Sequence, residues 1–182
     1  MEKGLHETTR RIVRVAITGP ESTGKSSLSV YLARHFNTVC VPEFARKYLD
    51  KLGREYTYDD LTFMAKKQIA AEKCLQKMAT RFLFCDTELS VIKIWAEHRY
   101  QKCPAWVAEN LPKVKYDLYL LCDIDLPWEA DPLREHPHMR RYFFDWYHRE
   151  LTERRVNFAV VSGLGDERYK NALKAIETLT LL

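Results

Sequence analysis

Gly19-Pro20-Glu21-Ser22-Thr23-Gly24-Lys25-Ser26 reads G-x-x-x-x-G-K-S. Before it runs an apolar segment, Ile12-Val13-Arg14-Val15-Ala16-Ile17, which predicts a strand. After it, Leu28, Tyr31, Leu32, His35 and Phe36 recur at helical spacing, so a helix starts within the loop. Strand, glycine-rich turn and helix N-terminus together gather backbone N–H groups and the positive end of a helix dipole around one anion. Gly19 and Gly24 let the backbone curl closely around phosphates. Lys25 brings a point charge to the β- and γ-phosphates, and the Ser26 hydroxyl is placed to ligate Mg²⁺. Glu21, Ser22, Thr23 and Ser27 complete the predicted nucleotide cradle. The motif implies that the chain binds a nucleoside triphosphate with Mg²⁺; ATP is the expected cofactor, and the motif itself leaves GTP open.

Outward from this loop, strands and helices alternate. Thr38-Val39-Cys40-Val41 predicts a second strand ending at Pro42-Glu43. A helical stretch from Phe44 breaks near Gly53 and resumes after Asp59-Asp60, which offer N-caps for a helix to about Thr80. Residues 81–85 predict a third strand closed by Asp86-Thr87, and Leu89 to Tyr100 a helix. Residues 116–124 form a nearly continuous apolar run, suited to a strand buried on both faces. A polar, arginine- and histidine-rich segment follows, then an aromatic helix from Tyr142 to about Glu153, a fifth strand over 156–161 and a last helix over 169–179. The pattern predicts a three-layer α/β sandwich on a five-stranded parallel sheet with a helical lid. The expected organisation is one domain over 1–182, with residues 1–10 a flexible tail and about 125–141 the lid.

The 182 residues can bury a sizeable core, and 46% apolar with 30% charged content excludes disorder for most of the chain. No apolar stretch approaches a membrane span, and residues 1–10 have no signal-peptide core, so a cytoplasmic protein without a membrane partner is expected. The net charge of +4 is dispersed along the chain, which argues against nucleic acid as a partner. Five cysteines lack C-x-x-C spacing, so no zinc site is expected, and Cys40, Cys85 and Cys122, within or at the end of predicted strands, read as small buried apolar side chains in a reducing compartment.

In a parallel sheet the ligand lies beyond the carboxyl ends of the strands, where Gly19, Glu43, Asp86, Asp125 and Gly163 all fall. Asp86 reads as the carboxylate that organises Mg²⁺, with a helix cap as the alternative. Glu43 can face the γ-phosphate and take a proton from an acceptor hydroxyl; alternatively it forms a surface pair with Arg46. Arg134 is the first choice for a lid arginine that neutralises charge on the transferring group, with Arg140 or Arg141 second. His136 and His138 read as solvated. Trp95 is read as core or as the wall of an acceptor pocket. The glycines 163 and 165, with Arg168 nearby, could flank the base or simply turn the chain.

Taken together, G-P-E-S-T-G-K-S, V-P-E-F-A-R (41–46), D-T-E-L (86–89), I-W-A-E-H (94–98), the run from Tyr116 to Arg134 and V-S-G-L-G-D-E-R (161–168) resemble the ribosylnicotinamide kinase domain of the NadR family. The resemblance implies a P-loop kinase-like fold and transfer of the ATP γ-phosphate to the ribose 5′-hydroxyl of nicotinamide riboside. It also implies that Lys25 and Ser26 serve nucleotide and Mg²⁺, Glu43 and Asp86 the acceptor hydroxyl and metal, and Arg134 the lid. The acceptor is a cation without phosphate, so its pocket should combine carboxylates, Glu43 and Asp86, with aromatics, Trp95 and Trp128, and Arg46, one turn after Glu43, is a further expected substrate contact. The adenylyltransferase and helix-turn-helix regions of larger relatives have no counterpart, so neither NAD synthesis nor operator binding is expected. Another nucleoside or nucleoside-monophosphate kinase, and a non-catalytic ATP-binding regulator, are the alternatives.

Overall fold

The computed structural model describes residues 11–180. Five strands form one sheet: β1 (Val13–Thr18), β2 (Val39–Val41), β3 (Phe82–Asp86), β4 (Leu118–Cys122) and β5 (Phe158–Val161). Their order is β2-β3-β1-β4-β5, and every pairing is parallel. Among the described residues seven α-helices join them: α1 (Lys25–His35), α2 (Phe44–Leu52), α3 (Tyr58–Leu75), α4 (Leu89–Tyr100), α5 (Ala105–Asn110), α6 (Arg140–Glu153) and α7 (Asp166–Thr180). The expected flexible tail, residues 1–10, lies outside the described residues.

Alternation along the strands sorts the core into two layers. Val15, Ile17, Phe82, Phe84, Leu118 and Leu120 point to one face and pack against Leu28 and Leu32 of α1 and Ala172 and Ile176 of α7. Ala16, Leu83, Cys85, Tyr119 and Leu121 point to the other, against Val91 and Ile94 of α4 and Phe143, Tyr147 and Leu151 of α6. Every residue of β3 and β4 is buried, as a strand covered on both faces requires. A third apolar cluster, with Leu61, Met64, Leu89 and Val107, joins α3, α4 and α5 beside the sheet.

Three details differ from expectation. The N-cap of α3 is Thr57, and Asp60 sits three residues on with its carboxylate accepting from the Thr57 N–H at 2.7 Å, a capping box in place of the expected Asp cap. The short helix α5 was not foreseen, because six residues after Pro104 carry one buried apolar side chain and hence no period. In the 125–141 segment, residues up to Met139 run as turns and loop, and the helical part begins at Arg140.

Candidate active site

The loop from Gly19 to Ser26 leaves β1 with Gly19 at φ 131°, and a Cβ there would lie 2.9 Å from the carbonyl oxygen of Cys122. Only glycine fits so close to β4. Gly24, at φ 72°, is the N-cap of α1. Lys25 donates to the carbonyl of Pro20 at 2.6 Å, and the Thr23 hydroxyl to the same oxygen at 2.8 Å, so the loop folds around itself.

A cavity of about 380 Å³ opens over this loop, lined by residues 19–27 together with Glu43, Arg46, Trp95, Arg134 and Arg140. The predicted cradle, Glu43 and both lid arginines therefore share one cleft. Asp86 lies directly behind it, 3% exposed at the end of β3. Its Oδ1 is buried without a hydrogen-bond partner among the described residues. Burial raises its proton affinity, while the Ser26 hydroxyl, Lys25 and Arg46 pull it down. The cap of α4 is Glu88, whose side chain accepts from the Ser90 N–H at 2.8 Å, so Asp86 is not spent on capping. A buried, orphaned carboxylate oxygen next to a phosphate-loop hydroxyl fits the donor set that Mg²⁺ takes from P-loop proteins, with phosphates and water completing its shell.

Glu43 closes β2 and makes no side-chain cap bond to α2. Burial pushes its carboxyl above the usual range, with Lys25 opposing and Asp86 reinforcing. It stands one strand away from Asp86, since Val41 pairs with Cys85 across β2 and β3. Gln68 of α3 fixes this juxtaposition: it accepts from the Phe44 N–H at 2.9 Å and donates to the Asp86 carbonyl at 3.5 Å. Arg46 is drawn across the cleft to Asp131 at 2.9 Å rather than serving as a simple partner of Glu43.

The segment 125–139 closes over the loop through hydrogen bonds to the loop itself. Glu21, expected among the nucleotide ligands, accepts instead from the N–H groups of Glu135 and His136 at 3.1 and 3.3 Å. The Ser22 hydroxyl accepts from the Glu129 N–H at 2.9 Å, and Arg134 reaches that hydroxyl at 3.4 Å. Arg140 donates to the carbonyls of Leu126 and Ser22 at 2.8 and 3.0 Å. Arg141 turns outward to Asp145. Trp128, expected at the substrate, is half-buried in this segment and does not line the cavity. His138 is exposed as expected; His136 is half-buried, edge-on to His98 with ring centroids 5.0 Å apart.

A second cavity of about 330 Å³ adjoins the first, sharing Glu21, Leu49, Trp95 and His136 and adding Tyr56, His98 and Arg99. Tyr56 and Trp95 face each other across it, centroids 6.5 Å apart and 30° from parallel. Sequence reasoning missed Tyr56, Gln68, Glu88 and the anchoring role of Arg168. Gln68 had a signal: it interrupts the apolar stripe of α3, between Ala65 and Ile69. Among the described residues no group of three or more His, Cys, Asp or Glu could hold a metal without other ligands, and no helix is long and apolar enough to cross a membrane.

Against known proteins, a model of the AAA domain family matches residues 14–168. The trifunctional NAD biosynthesis/regulator protein NadR of Salmonella typhimurium is 30% identical over 127 residues, which cover 66% of this chain and 30% of that protein. The match thus spans less than a third of the relative's length. A crystal structure of NadR protein in complex with NR superposes with a TM-score of 0.80 at 22% identity, covering 94% of this chain and 52% of the other. Thymidylate kinase from Ehrlichia chaffeensis superposes with a TM-score of 0.59 at 17% identity, covering 92% and 98%. These two likenesses establish a P-loop kinase-like fold.

Proposed function

The chain belongs to the AAA domain family of P-loop proteins, and from that premise we propose that it is an ATP-dependent kinase that phosphorylates the ribose 5′-hydroxyl of nicotinamide riboside. The observation that carries this reading is the pair of carboxylates at adjacent strand tips, Glu43 in the cleft wall and Asp86 behind it, both coupled electrostatically to Lys25. A motor that hydrolyses ATP needs a polarised water; a kinase needs one carboxylate for the metal and one for the acceptor hydroxyl.

Ser26 and Asp86 would hold Mg²⁺, which when bound neutralises charge on the phosphates. Lys25 and the loop N–H groups hold the β- and γ-phosphates. Glu43 accepts the proton of the acceptor hydroxyl at its carboxylate, and its raised proton affinity brings it closer to the range where a base works well at neutral pH. Arg134 and Arg140 line the same cleft from the lid, where they exclude water and offset the charge of the migrating group. Residues 11–180 act as one kinase unit, with 125–141 as its lid, in the cytoplasm.

The second cavity supports a flat aromatic acceptor. Trp95 and Tyr56 offer two ring faces with the spacing of a slot, and a pyridinium cation is attracted to such faces. The NR complex named for the NadR structure and the NAD-biosynthesis name of the Salmonella relative point to the same substrate. A monophosphate acceptor is less well served, because Arg46 is engaged by Asp131 and Arg54 by Asp60.

The test is ADP release with Mg²⁺-ATP and a panel of nicotinamide riboside, common nucleosides and their monophosphates, with Lys25→Ala as the inactive control. Stimulation by nicotinamide riboside alone is expected. Stimulation by another member of the panel alone overturns the substrate, and tight ATP binding without any stimulation overturns the kinase in favour of a regulator.

A further inference from the structure

Between Asp86 and α4 the chain makes a turn that its own backbone disfavours. Thr87 sits at φ 68°, in the left-handed region, and it is the β-branched member of the five non-glycine residues with positive φ among those described. A β-branched side chain occupies that region only when its surroundings force it. Two restraints do so here. The Thr87 N–H donates to the Ile17 carbonyl at 2.9 Å, which extends the β1–β3 ladder past Asp86. The next residue, Glu88, is 2% exposed and spreads its carboxylate over two elements. One oxygen accepts from the Ser90 N–H and hydroxyl at 2.8 and 3.0 Å, and the other from the Thr18 hydroxyl at 3.3 Å.

Thr18 is the last residue of β1, immediately before the phosphate loop. The Glu88 carboxylate therefore ties the turn that carries Asp86 to the point where that loop begins. The clamp extends further: Arg154, at the end of α6, donates to the Ser90 hydroxyl at 2.7 Å and to the Tyr119 hydroxyl at 2.8 Å. A helix cap alone needs only a short acceptor such as serine or aspartate. A buried glutamate that also crosses to a strand 70 residues away does more than cap.

We propose that Glu88 is a positioning residue for the metal carboxylate: by clamping the Thr87 turn to Thr18, it holds Asp86 with one oxygen free beside the phosphate loop. The proposal rests on the reading of Asp86 as the Mg²⁺ carboxylate. Residues of this kind act on affinity for the ion through the ligand they orient, and their loss typically weakens metal binding ~10–100-fold.

The test uses the whole chain and a non-transferable nucleotide, so it does not depend on the acceptor. Affinity for AMP-PNP is measured with Mn²⁺ and with EDTA, and the Mn²⁺ bound beside the nucleotide is followed by electron paramagnetic resonance. In Glu88→Ala the gain in affinity from Mn²⁺ should fall by at least ~10-fold, while metal-free binding stays within ~2-fold. Glu88→Gln, whose amide can accept from Ser90 and donate to Thr18, should restore the gain to within ~3-fold. Where Glu88→Ala fails to melt cooperatively, Thr18→Val carries the test, since it removes one clamp partner while leaving the carboxylate's bonds from Ser90 in place, and it should reduce the Mn²⁺ gain in the same selective way. An undiminished gain in a folded Glu88→Ala or in Thr18→Val overturns the positioning role. A wild-type chain that gains nothing from Mn²⁺ overturns the metal reading of Asp86 and this proposal with it.

Discussion

Arg168, in the first turn of α7, donates to the carbonyl oxygen of Thr23 in the phosphate loop at 2.8 Å. The same guanidinium reaches the Asp123 carbonyl at 3.0 Å and the Asp125 carboxylate at 2.6 Å, and it is buried to 3% exposure. One side chain thus fastens the loop after β1 to the segment after β4, and α7 to both. Arg168 reads from sequence as a neighbour of the nucleotide base; its bonds make it the staple that holds the cradle's curvature. Arg168→Ala should lower the free energy of unfolding by about 2–4 kcal/mol, less than a fully buried pair would lose because Asp125 is partly exposed. Urea unfolding measures this, and nucleotide affinity should fall with it. Arg168→Lys should rescue little, since an ammonium cannot span the same carbonyls in one plane.

Glu43 combines a raised proton affinity with a place in the cleft wall. As the proposed base it works as the carboxylate, so turnover should fall as pH drops through its raised pKa, giving an acid limb above the usual carboxylate range. Glu43→Gln should cut kcat by ~10²–10⁴-fold and remove that limb. Stability should move the other way. A carboxyl whose folded pKa is raised is better tolerated neutral, so the stability it gives is lost as pH rises through the folded pKa. The glutamine variant should therefore melt no lower than wild type at pH 8. A variant with a near-normal kcat would remove Glu43 from the chemistry.

The five parallel strands were legible because each is an apolar run ending in glycine, carboxylate or proline, and because the Gly19–Ser26 motif anchors the pattern; their order in the sheet, β2-β3-β1-β4-β5, was not. The carboxylates at strand tips were legible for the same reason: Glu43 and Asp86 end apolar runs where a parallel sheet opens. What sequence hides is direction. Glu21 and Arg134 stand in the expected places, yet Glu21 accepts lid N–H groups and Arg134 reaches the Ser22 hydroxyl. Trp128 lies two residues beyond a cavity-lining leucine and misses the cavity. Tyr56 comes to Trp95 from a loop between α2 and α3, a contact across 39 positions with no local pattern to announce it.

The proposed role of Trp95 at the acceptor can be tested separately from nucleotide binding. It lines both cavities, on the side where Tyr56 faces it. Stacking of a flat ring on an aromatic face contributes about 1–3 kcal/mol. Trp95→Ala should therefore raise the acceptor KM roughly 10-fold or more while leaving the KM for ATP within about 2-fold, and Trp95→Phe should fall between. An equal rise in both constants would place Trp95 in the core rather than at the substrate.

Glu72 gives the fold a pH dependence remote from the cleft. It projects from α3 under the sheet, fully buried, where it pairs with Arg14 and accepts from the Tyr116 hydroxyl at 2.8 Å. Burial wins over these partners and pushes its carboxyl from an ordinary value near 4.5 up to about 7. The sign follows from linkage: the folded state holds the proton more tightly than the unfolded state. Stability from this group is fully present below about 4.5 and is lost as pH rises through about 7. The size of that loss is at most about 3 kcal/mol. Other buried carboxyls, Glu88 among them, slope the same way, so the wild-type curve alone cannot isolate Glu72. The difference between wild type and Glu72→Gln can, because glutamine keeps the shape and cannot titrate. Unfolding free energies at pH 5 and pH 8 should show wild type losing more than the variant over that interval. Parallel curves would mean that Arg14 and Tyr116 keep Glu72 ionised in the fold throughout.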